Sequence, residues 1–226
     1  MLPSKLLYQN KIESSYARNF ISKIQPQNTS NYGLGQTTII NIPCMANQVL
    51  SGLDTTLNVR LCLRNTGTVA GDIDANTALL DSAGIISAIQ RVRLFHGSQL
   101  LSDIDSYGNL MNLLITSQCS SDLIENKYGI LMGSKSSGAG SSLNTAAVTF
   151  GTDFPNQPTF SIPLMTILNL SNNYVPCWVL TSGSLRLEIQ WVSHLAQFVN
   201  YSNNRSLGSS YIFRCFTNRK FYGVVR

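Results

Sequence analysis

Two histidines, His96 and His194, are the only imidazoles in the 226 residues, so acid–base chemistry at neutral pH has few candidates to draw on. Neither stands in a triad motif, no G-x-S-x-G elbow is present, and both are read as structural residues in strands or at strand ends. The five cysteines, at positions 44, 62, 119, 177 and 215, are odd in number, widely scattered and without the C-x-x-C pairs of zinc or redox sites. They read as reduced, mostly buried thiols. Asp72, Asp74 and Asn76 open like a calcium loop, but Thr77 stands where that loop needs glycine and Ala83 where it needs its last glutamate. The stretch Gly133–Ser142 carries Lys135 without the G-x-x-x-x-G-K order of a phosphate loop, and its composition is that of a flexible linker. These residues together predict a protein that is not an enzyme, with no catalytic residue, no metal site and no cofactor.

Charge is the more informative signal. Only 12% of the side chains are charged against 43% hydrophobic, and the net charge is +5. That total is unevenly laid out. Near the start, Lys5, Lys11, Arg18 and Lys23 face a single acid, Glu13; at the end, Arg205, Arg214, Arg219, Lys220 and Arg226 face none. The body between them is mildly acidic. Basic ends of this kind suit a polyanion or an acidic partner. The first residues lack the apolar core of a signal peptide, since Lys5, Gln9, Asn10 and Lys11 interrupt them; a product made inside a cell and not secreted is expected. The N-x-S/T sites at Asn28, Asn169, Asn200 and Asn204 then follow from high Asn and Ser content alone.

The elements that must position these groups follow from periodicity. Tyr8, Ile12, Tyr16, Phe20 and Ile24 recur at every fourth position, which predicts an amphipathic helix over 4–24, ended by Pro26 and a polar linker. From Thr37 onward the period becomes two. Leu185 to Trp191 alternates apolar and polar without error, and Leu57 to Leu63 does so with Cys62 as its one lapse. Further strands are expected at 37–42, 86–95, 146–150, 159–164, 174–180 and 211–216, with a continuation over 221–225. Alternation places Ile40, Ile42, Leu57, Val59, Leu61, Val92, Leu94, Ile162, Leu185, Leu187, Ile189 and Trp191 in one core. A helix from Tyr107, capped by Asp103, Asp105 or Ser106, should lay Leu110, Met111, Leu114 and Ile115 over an open edge or end of the sandwich. A second short helix is expected over 122–131. The sum is an all-β antiparallel jelly-roll sandwich of about eight strands with one or two inserted helices.

Three segments resemble a known family. Ile89 to Leu110 joins a strand, a glycine turn and a "leucine, acid, isoleucine, x, x, tyrosine" stretch leading into a helix. Phe160-Ser-Ile-Pro-Leu164, with Tyr174-Val-Pro176 and the strand from Leu185, supplies an "isoleucine, proline, leucine" step and a second proline strand. Gly35 to Pro43 with Leu53 to Leu63 supplies two opening strands. In this order they resemble the N-terminal jelly roll of double jelly-roll virus major capsid proteins. Family members carry two rolls in one chain, whereas this length accommodates one roll and an arm, so the chain reads either as a single-roll relative or as the first half of a longer product.

The resemblance implies a structural coat protein of an icosahedral virus, located in the virion, whose partners are copies of itself in capsomers and other capsid proteins. The other reading the residues leave open is a carbohydrate- or ligand-binding jelly-roll module. Residues 1–31 are taken as an arm and linker, 32–226 as the jelly-roll domain with its basic end. The arm's Tyr8, Ile12, Tyr16, Phe20 and Ile24 are the candidate assembly residues. Lys5, Lys11, Arg18, Lys23, Arg219, Lys220 and Arg226 are the candidate contacts to a viral genome or an inner membrane.

Overall fold

The computed structural model describes residues 17–28, 31–45, 48–51, 54–65, 78–135, 139–142, 159–164, 174–180, 183–194, 199–201 and 209–224. Leu185–Trp191 forms strand β12, and its strict alternation becomes strict alternation of burial: Leu185, Leu187, Ile189 and Trp191 are buried, the residues between them half-exposed. Both edges of β12 are paired antiparallel, to β3 (Thr37–Ile42) on one side and to β7 (Ile89–His96) on the other. With β8 (Gln99–Asp105) beyond β7, the first sheet has the order β3-β12-β7-β8. A strand late in the chain thus lies between two early ones, as Greek-key connections require.

The second sheet is built around β14 (Ser209–Val224), which is long enough to have two sets of neighbours. One edge pairs with β5 (Thr56–Asn65) and β4 (Gln48–Ser51); the other pairs with β1 (Ala17–Ile24) and β2 (Asn31–Tyr32). Strand β10 (Thr159–Pro163) lies on β5, and β11 (Tyr174–Pro176) on β4. A small third sheet joins β6 (Ala78–Asp81), β9 (Ala139–Ser142) and β13 (Val199–Tyr201). All twelve residues expected in the core are buried, in one cluster that draws on both large sheets.

Several expectations are corrected. Residues 17–24 form a strand and not the C-terminal part of a helix, with Phe20 and Ile24 packed against the core; residues 4–16 of that segment lie outside the described residues. The polar linker after it is docked. Asn28 donates from Nδ2 to the Thr37 carbonyl (2.7 Å) and accepts from the Ile39 N–H (3.2 Å), while the Gln27 N–H reaches the Ile39 carbonyl (2.8 Å). These bonds occupy the open edge of β3 and leave no room there for another strand. The strand expected at 86–95 begins as a 3-10 turn, Gly84–Ala88, and that at 174–180 ends as one, Cys177–Val179. The strand expected at 211–216 and its continuation over 221–225 form the single strand β14. Part of the expected flexible loop, Ala139–Ser142, pairs with β6, and the expected strand at 146–150 lies outside the described residues.

Helix α1 (Tyr107–Gln118) forms where expected, but it is seated differently. Its first residue follows Ser106, which adopts a left-handed conformation (φ 51°) and makes no side-chain cap; the Asp105 carboxylate accepts instead from the Ser106 N–H (2.9 Å). Gly108 sits so close to Ser87 that an added Cβ would lie 2.9 Å from its Cα. This approach buries Tyr107 and Ile115 against the Gly84–Ala88 turn and the start of β7, while Leu110 remains on the surface. A π-helical turn, Leu123–Tyr128, and the short α2 (Gly129–Met132) follow. The end of α2 abuts Gly84 (φ 72°), whose missing Cβ would stand 2.1 Å from the Met132 carbonyl oxygen.

Two substitutions test this packing. Leu187→Ala removes a fully buried side chain from the middle strand and should cost about 2–5 kcal/mol in a denaturant titration. Gly84→Ala adds both the forbidden contact and a strained φ, and should cost at least about 1 kcal/mol. An unchanged midpoint for either would refute the register or the close approach.

Candidate functional site

The residues with catalytic potential do not converge. His96 ends β7 beside Leu185, and its Nε2 is buried without a hydrogen-bond partner; His194 lies past the opposite end of β12, exposed. Among the described residues, no three of His, Cys, Asp and Glu are grouped to hold a metal ion. Cys44, Cys119 and Cys177 are not joined in disulfides; burial, followed by the neighbouring Cys119, raises the Tyr128 phenol above its ordinary value. A cleft of about 120 Å³ beside the start of α1 is lined by Ser87, Gln90, Ser106 and Asn109 among others, none of them titratable near neutrality. Trp191 is buried, with its indole N–H on Thr38 Oγ1 (2.8 Å), so it offers no stacking face to a sugar. No helix among the described residues is long and apolar enough to cross a membrane. The calcium-like segment 72–76 lies outside the described residues.

What the fold does present is two sheets whose strands differ in charge composition. On the outer face of the first sheet, charges alternate across three strands. Arg91 on β7 makes a two-pronged bond to Asp103 on β8 (Nε–Oδ1 2.7 Å, Nη2–Oδ2 2.6 Å). Arg93 on β7 and Arg186 on β12 both reach Glu188 at 3.1 Å, and the Arg186 guanidinium lies 4.5 Å from the Phe95 ring centre. The Arg91 hydrogen bonds hold the Asp103 carboxyl below the ordinary aspartate value. Each arginine on this face therefore has a carboxylate.

The second sheet has none. No strand of it, β1, β2, β4, β5, β10, β11 or β14, contains Asp or Glu, whereas β1, β5 and β14 together carry Arg18, Lys23, Arg60, Arg64, Arg214, Arg219 and Lys220. The two basic ends of the sequence are here paired with each other, Ala17 opposite Val224 through Ile24 opposite Thr217. Lys23 is exposed, and Lys220 is paired in the backbone with Ile21. Arg18 and Arg219 are paired in the backbone with Gly223 and Ser22; their side chains, like that of Lys220, lie outside the described ones. Lys5, Lys11 and Arg226 lie outside the described residues, as do Tyr8, Ile12 and Tyr16 of the expected assembly stripe. Arg60 and Arg64 were not singled out from the sequence, and Arg214 only as part of the basic end. The signal available was the absence of any acid from those strand segments.

No protein-family profile matches the chain, and no curated protein does. Solved structures do. The Faustovirus major capsid protein matches at a TM-score of 0.56 and 10% identity, over 96% of this chain and 57% of its own. The PBCV-1 virus capsid matches at 0.55 and 12%, over 95% and 44%. The Sputnik virophage structure matches at 0.51 and 12%, over 100% and 52%. The chain spans about half the length of these proteins, and its fold is the jelly roll found in double jelly-roll major capsid proteins.

The Arg91–Asp103 pair gives a test of the first face. A lowered carboxylate stabilises the fold above its unfolded value, and that contribution is lost as pH falls through the folded value. The Asp103 carboxyl should titrate below the ordinary aspartate midpoint of 3.8 when followed by NMR, and return toward it in Arg91→Gln. An ordinary midpoint in the unsubstituted protein would refute the pairing in solution.

Proposed function

We propose that this chain is a structural coat protein that assembles with copies of itself, and with other capsid proteins, into the icosahedral shell of a virion. The observation that carries this reading is the jelly-roll match over nearly the whole chain to viral capsid proteins. The role is architectural, without a catalytic function.

Residues 1–31 contribute to assembly in this reading, though β1 is held by its own domain. Phe20 and Ile24 already pack on the core, so the stripe available to a neighbouring subunit is Tyr8, Ile12 and Tyr16. The basic ends, Lys5, Lys11, Arg18 and Lys23 with Arg219, Lys220 and Arg226, are proposed to meet the anionic contents of the shell, a genome or an inner membrane.

Deleting residues 1–16 tests the assembly role without removing β1. The truncated chain should keep the thermal midpoint of the full chain while losing particles seen by electron microscopy. Normal particles from the truncated chain would overturn the assembly role of these residues. A full-length chain that stays monomeric by light scattering at high concentration would overturn the coat reading itself.

A further inference from the structure

We infer that Asn28 is an edge guard: its carboxamide stands in for a strand on the open edge of β3 and keeps the chain from joining a second copy through that edge. The inference goes beyond the coat reading and does not rest on it.

The need for a guard follows from the sequence of β3. Every residue of Thr37–Ile42 except Asn41 is β-branched, and none is charged or proline, the composition that pairs most readily with another strand. The far edge of the same sheet is protected by other means. There β8 carries Asp103 and Asp105, both exposed, and its register with β7 is broken between Leu94 and Phe95. Charge and irregular register both discourage a further strand. Neither device is present in β3, so its edge has to be covered from outside the strand.

The cover is made by Gln27 and Asn28. Asn28 Nδ2 donates to the Thr37 carbonyl (2.7 Å), Asn28 Oδ1 accepts from the Ile39 N–H (3.2 Å), and the Gln27 N–H donates to the Ile39 carbonyl (2.8 Å). Both edge-facing groups of Ile39 are therefore bonded as a neighbouring strand would bond them. The carboxamide cannot be turned end for end, because Ile39 demands an acceptor and Thr37 a donor. It is also held from the opposite sheet: the buried Tyr32 of β2 donates its hydroxyl to the same Oδ1 (2.7 Å). Without the guard, β3 can meet β3 of a second copy antiparallel about a two-fold axis, Ile39 opposite Ile39 and Thr37 opposite Asn41, with no charge anywhere in the pairing. The product is a dimer and not a filament, since the strands at the ends of the joined sheet are the two protected β8 edges.

The test is light scattering of the full chain over a concentration series, below the concentrations at which the unsubstituted chain associates, together with hydrogen exchange of the Ile39 amide followed by NMR. In dilute Asn28→Ala the Ile39 amide should exchange about fivefold faster for the loss of its hydrogen bond. As concentration rises, the mass should double and the protection return. Asn28→Ala/Ile39→Lys should stay monomeric, because a lysine on the edge blocks strand pairing while lying across from Glu188. A merely structural Asn28 would lower stability without making Ile39 protection depend on concentration. Circular dichroism melts confirm that each variant is folded; if Asn28→Ala is not, Tyr32→Phe, which keeps the ring and removes the hydroxyl that holds Asn28, should give the same changes at smaller size. A folded Asn28→Ala that stays monomeric, association that Ile39→Lys does not prevent, or growth into open filaments would overturn the inference. An unsubstituted chain that never forms particles strikes the coat reading and leaves this result intact.

Discussion

Strand β12 is the constraint on which the first sheet depends. It is hydrogen-bonded along both edges, to β3 and β7, and its four apolar residues are buried without exception. A slip of one residue would turn all four to the surface and Arg186, Glu188 and Gln190 into the core. The register is fixed at its end by polar bonds as well as by burial. The Trp191 indole N–H meets Thr38 Oγ1, the Trp191 backbone N–H meets the Gln36 carbonyl, and the Val192 N–H meets that of Ala88. These contacts tie the strand to the start of β3 and to the 3-10 turn before β7. The placement of α1 follows, because that same turn is the floor on which Gly108 and Tyr107 sit.

The same register decides the outer face. With Leu187 inward, Glu188 must point outward between Ile39 and Arg93, and Arg186 must lie beside Phe95. The ion pairs of this face are thus consequences of the core pattern. Pairs this exposed contribute little individually to stability; their effect is to set a carboxylate against each of Arg91, Arg93 and Arg186.

Where burial alone sets the pattern, the sequence was readable. Thr37–Ile42 and Leu185–Trp191 have the boundaries their alternation predicts, and α1 starts at the expected tyrosine. The N-terminal segment was misread for a physical reason: residues four apart share a face in a strand as well as in a helix, so Phe20 and Ile24 satisfy both periods. What chose the strand was a partner, β14, about two hundred positions away in sequence. The caps expected from Asp103, Asp105 and Ser106 failed because β8 continues to Asp105, and Asp103 is engaged by Arg91 on the neighbouring strand. Candidate site residues were legible in part. Lys23 and Lys220 were visible as basic ends, but Arg60 and Arg214 become neighbours only through long-range pairing, which composition does not encode.

The pairing of the chain's two ends also explains why the charge is segregated. The body of the sequence supplies most of the carboxylates, and in the first sheet they lie across from arginines; β1 and β14 contain no acid and meet in the second. The segregation therefore follows from long-range strand pairing, which brings the two ends of the chain into one sheet, and not from any local run of like residues.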